Sequence, residues 1–89
     1  MKILNIAEKI KQVEKASKAY NKEDFKSFTL FCENAKIFVD IEKVYFYAYN
    51  YAYHVCICYF NNTRERKEFT NKNDLIDLLK NFKILNMED

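Results

Sequence analysis

The sequence predicts a small α+β domain: an antiparallel sheet of about five strands flanked by an N-terminal and a C-terminal helix, in the order α-β-β-β-β-β-α. Three observations lead there. Eighty-nine residues supply one hydrophobic core and not two. Hydrophobic residues are 49% of the chain and charged residues 31%, enough apolar surface to fold a domain 1–89. The apolar positions recur with helical period near both ends and with period two between them.

The first element is a helix over residues 3–20. Ile3, Ile6, Ile10, Val13, Ser17 and Tyr20 follow one another at steps of three or four, with charges between. Its outer face is basic, since Lys2, Lys9, Lys11, Lys15, Lys18 and Lys22 meet only Glu8 and Glu14. Asn21 to Asp24 then reads as a stop. From Phe25 to Glu33, Phe28, Leu30 and Cys32 alternate with Thr29 and Phe31 as in a strand, although Phe25, Phe28 and Cys32 also fit a helix; a turn is expected near Asn34. Ile37, Val39 and Ile41 share the face of a second strand. The apolar phase then shifts to Val44, Phe46 and Ala48, which calls for a turn or bulge around Glu42 and Lys43.

Residues 44–50 and 52–60 are two aromatic, β-branched runs, expected to form a hairpin at Asn50 and Tyr51. Asn61, Asn62 and Thr63 read as the next turn, and residues 63–69 as a charged strand suited to a sheet edge. Asn71 or Asn73 caps a last helix with an apolar stripe of Leu75, Leu78, Leu79 and Phe82. Residues 86–89 are expected to fray.

Glycine, proline and tryptophan are absent, which excludes the glycine-dependent phosphate cradles. Asparagine, tolerant of left-handed backbone, has to serve the tight turns. Asn, Lys, Ile, Tyr and Phe make up 46 of the 89 residues, and all five have AT-rich codons. That bias points to a low-GC bacterium, or a phage or mobile element within one. Net charge is only +2, against a nucleic-acid mimic and in little support of a nucleic-acid binder. Apolar stretches are too short or too interrupted for a membrane span or a signal peptide, so a cytoplasmic protein without a membrane partner is expected. Three cysteines, an odd number without framework spacing, agree with a reducing compartment.

His54, Cys56 and Cys58 fall on one strand face, with successive members about 6.8 Å apart. Together with Cys32 they would make a three-thiol, one-imidazole set of the kind zinc accepts. Zinc thiolates usually come from tight knuckles, which this sequence lacks, so no metal and no cofactor are expected. Nor does His54 stand where it would activate a cysteine, because same-face residues of one strand rarely meet at about 3 Å. No catalytic residue is assigned, and a non-enzymatic protein is expected.

The strongest functional signal is a tyrosine ladder. Tyr45, Tyr47 and Tyr49 share one strand face and Val44, Phe46 and Ala48 the other. With an even loop, Tyr53, Val55, Ile57 and Tyr59 would join the apolar face, and His54, Cys56, Cys58 and Phe60 the tyrosine face. The tyrosine face is the expected partner-binding surface, since tyrosine offers a large, rigid, amphipathic contact. The expected function is a protein-interaction module, of the kind a phage or mobile element uses to inhibit a host or defence protein. A homodimer through the aromatic face or an edge strand is a second partner expectation. The alternative is nucleic-acid binding by the tyrosines with Lys36, Lys43, Arg64, Arg66 and Lys67.

Overall fold

The computed structural model describes residues 2–16, 26–44 and 51–88. Its elements are α1 (Ile3–Ala16), β1 (Lys26–Cys32), β2 (Ala35–Lys43), β3 (Tyr51–Tyr59), β4 (Arg64–Phe69), α2 (Lys72–Leu79) and β5 (Ile84–Glu88). The strands form one five-stranded sheet in the order β4-β3-β2-β1-β5, with every neighbouring pair antiparallel. The small α+β class, the five-stranded antiparallel sheet and the two helices are therefore as the sequence predicts. No helix among the described residues is long and apolar enough to cross a membrane.

Alternation decides the faces. Phe28, Leu30 and Cys32 of β1, Ile37, Val39 and Ile41 of β2, and Tyr53, Val55 and Ile57 of β3 are buried in one cluster. Ile6, Ile10 and Val13 of α1 and Leu75 and Leu79 of α2 close the same cluster, so both helices lie on one side of the sheet. Lys72 Nζ, 3.5 Å from Glu14 Oε1, ties α2 to α1.

Asparagine does the work of glycine at the turns. Asn62 takes φ 72° between β3 and β4, and Tyr59 N donates to Thr63 O at 2.9 Å across that turn. Asn61 Oδ1 accepts from Thr63 N at 3.1 Å and from Thr63 Oγ1 at 2.6 Å, locking the loop. The Asn71 side chain accepts from Asn73 N at 2.8 Å, so Asn71 is the cap of α2.

Three expectations change. The partner of β3 is β2 and not residues 44–50: nine residue pairs run without interruption from Ala35↔Tyr59 to Lys43↔Tyr51. With β4 on its other side, β3 has both edges taken. This ladder wins because it sets Ile37, Val39 and Ile41 directly beside Ile57, Val55 and Tyr53 on the buried face. The ladder of β2 also runs through Glu42 and Lys43 without a bulge and ends at Lys43, while Phe46 and Ala48, on which the shifted phase falls, lie outside the described residues. Finally, the chain continues beyond α2 into β5, so most of the tail expected to fray pairs with β1 and supplies the sheet's fifth strand. Buried Ile84 and half-buried Met87 anchor it. Tyr45, Tyr47 and Tyr49 lie outside the described residues, as do Ser17 and Tyr20.

Candidate interaction face

The opposite parity of each strand builds the second face of the sheet, on which no described helix packs. The ladders arrange it in rows across the strands. One row contains Arg64, Cys58, Lys36 and Phe31. The next holds Arg66, Cys56, Phe38 and Thr29, and the third Glu68, His54, Asp40 and Ser27.

Its centre is apolar. Phe38 is 37% exposed, while Phe31, Cys56 and Cys58 are half-buried among their neighbours on the sheet. The Lys36 ammonium stands 5.1 Å from the Phe31 ring centre and 5.2 Å from that of Phe38, a cation held over two ring faces. Cys56 Sγ and Cys58 Sγ are 3.9 Å apart. Burial and the neighbouring Cys56 push the Cys58 thiol above its ordinary range, against the opposing pull of Arg64 and Lys36.

The rim is charged with both signs. His54 Nε2 lies 3.3 Å from Glu42 Oε2, and Nδ1 lies 3.9 Å from Glu68 Oε2. An open depression of about 520 Å³ beside His54 is lined by Asp40, Cys56, Arg66 and Glu68 among others. Its mixture of acid and base offers hydrogen bonds to a polar partner without favouring either charge.

The residues singled out by sequence separate into two sets. Lys36, Arg64 and Arg66 share this open face, whereas Lys43 and Lys67 have the opposite parity, beside Tyr51 and Val55; Lys67, on the edge strand, still borders the depression beside His54. His54, Cys56 and Cys58 do share a face, as their spacing requires. Cys32 has the opposite parity and is buried beneath the helices, where burial pushes its thiol up. The three-thiol, one-imidazole set is therefore not assembled, and no metal-holding cluster of three His, Cys, Asp or Glu side chains occurs among the described residues.

Sequence reasoning had not assigned Phe31 and Phe38 to this surface. The signal was present, because Lys36, Phe38 and Asp40 occupy the positions skipped by Ile37, Val39 and Ile41. Comparison of the chain with protein-family models, curated proteins and solved structures finds no match.

Proposed function

We propose that this chain is a non-enzymatic interaction module that binds another protein through the open face of its sheet. The observation that carries the reading is the composition of that face, with Phe31, Phe38, Cys56 and Cys58 at its centre and acids and bases around them. Protein interfaces have this anatomy: an aromatic centre that desolvates well and a polar rim that sets orientation. The AT-rich composition favours a phage or mobile-element accessory protein, and a small domain with one broad face suits an inhibitor that covers a host or defence protein. Three free thiols favour a reducing, cytoplasmic setting.

Nucleic-acid binding is the second reading, favoured by Lys36, Arg64 and Arg66 beside two phenylalanine rings. Asp40, Glu42 and Glu68 weigh against it, because carboxylates two positions along the same strands repel a phosphate chain.

Phe38→Asp provides the test. Wild-type and variant chains, shown by circular dichroism to be folded, are used in parallel to capture proteins from a low-GC bacterial lysate. The expected result is a discrete protein retained by the wild type, with affinity falling about 30-fold or more in the variant, the scale of an aromatic hot spot. Retention of single-stranded oligonucleotides at moderate salt, lost steeply as salt rises and abolished by Arg64→Ala with Arg66→Ala, would replace this reading with the second.

A further inference from the structure

The inference here rests on reading the open face as a protein-binding surface, and it names an occupant. We infer that, when no target is bound, the face is covered by a second copy of this chain. Charge is ordered along the strands. On β2 the open-face residues run Lys36, Phe38, Asp40; on β4 they run Arg64, Arg66, Glu68. Lys36 and Arg64 share one row, Asp40 and Glu68 share another, and Phe38 and Cys56 lie in the row between. The face is thus basic at one end, acidic at the other and apolar midway.

Such a face is its own complement under one symmetry operation. Two sheets meeting face to face are related by a two-fold axis lying in the plane between them. An axis along the strands would lay basic row on basic row. An axis across the strands, over the Phe38 row, reverses strand direction and keeps each strand above its own copy. It sets Lys36 against the second copy's Asp40 and Arg64 against its Glu68, each pair occurring twice, around Phe38 upon Phe38. Stacked sheets lie about 10 Å apart, a gap that lysine and arginine side chains span while phenylalanines fill the centre. The same operation brings Arg66, at the exposed β4 end of the middle row, near its own copy, at a rim where solvent screens the repulsion. A foreign target does not require a surface to match itself; a two-fold dimer does.

Charge exchange tests this arrangement. Sedimentation equilibrium of the full chain across micromolar concentrations is expected to show a dimer that weakens as salt rises. Lys36→Asp and Asp40→Lys are each expected to weaken it by about tenfold or more, because each sets like charges against one another at two symmetric places. The double variant K36D/D40K restores opposite charges and should return to within about threefold of wild type. Arg64→Glu and Glu68→Arg, at exposed positions on β4, repeat the cycle should the β2 variants fold poorly. A wild-type chain that stays monomeric overturns the inference and leaves the target reading to the Phe38→Asp capture experiment. A dimer insensitive to these charges, or single losses that the double exchange does not rescue, overturns it equally.

Discussion

At the scale of single residues, one step of strand parity decides the chemistry of the cysteines. Cys32 projects into the core on the helix side, whereas Cys56 and Cys58 project from the open face. A thiol reacts through its thiolate and only where reagent reaches it. In folded protein dilute enough to be monomeric, Ellman's reagent should therefore titrate two thiols, and the third only in denaturant; immediate reaction of all three would contradict the placement of Cys32. Parity also buries Tyr53, which is 3% exposed. Burial first, then the Glu14 carboxylate and Tyr51, push its hydroxyl well above its ordinary range. The folded chain therefore keeps this proton at a pH where the unfolded chain, with a tyrosine near about pH 10, has released it. Stability from this group is complete below about pH 10 and declines as pH rises further. Burial of Cys32 adds a loss of the same sign, beginning nearer about pH 8.5. The melting temperature should fall through the alkaline range, and Tyr53→Phe should flatten the part above about pH 10. An identical alkaline fall in Tyr53→Phe would show that another group is responsible.

At the scale of elements, α2 shows how a periodic stripe is sharpened by packing. Leu75, Leu78, Leu79 and Phe82 are equivalent as a pattern, yet Leu75 and Leu79 are fully buried and Leu78 and Phe82 lie at the margin of the core. Leu79→Ala should cost about 2–5 kcal/mol by opening a cavity, and Leu78→Ala clearly less, as measured by urea unfolding. Equal losses would mean that α2 is rotated from this placement. The turns at Asn34 and Asn62 and the charged edge strand β4 are legible because each is written in local pattern or turn chemistry, whereas the pattern of β1 fits a helix as well as a strand, and local sequence leaves the cap of α2 to Asn71 or Asn73. The partner of β3 is not legible, since periodicity assigns a residue to a face and says nothing about which distant strand lies beside it. The strand β5 was hidden for a more specific reason. Its ladder shifts register between Phe31 and Cys32, so that Cys32 pairs with Ile84 while Leu30 pairs with Met87. Two core residues are then three positions apart, and the period of two that marks a strand is lost.

At the scale of the whole molecule, the organising fact is a sheet whose described helices both lie on one side. Antiparallel sheets tolerate this because a period of two sorts apolar residues to one face and polar ones to the other. Here the sorting is incomplete, for Phe31 and Phe38 interrupt an otherwise charged and polar surface. Alternation within residues 44–50 assigns an open aromatic face to Tyr45, Tyr47 and Tyr49, which lie outside the described residues. Among the described strand residues, the aromatic ring most exposed on the open face is that of Phe38. Comparing the two faces tests the claim that one is core and the other surface. Phe28 is 1% exposed beneath the helices, and Phe28→Ala should cost about 3–5 kcal/mol. In a domain whose whole stability is on the order of 5–10 kcal/mol, that is much of the total. Phe38→Ser, measured in protein dilute enough to be monomeric, should change unfolding free energy by less than about 1 kcal/mol, because its ring has no core to leave. Were Phe38→Ser as damaging as Phe28→Ala, the second face would be covered by the chain itself and closed to any partner. A small loss in dilute protein and a larger one in concentrated protein would instead place the ring in a contact between molecules, where its burial depends on mass action.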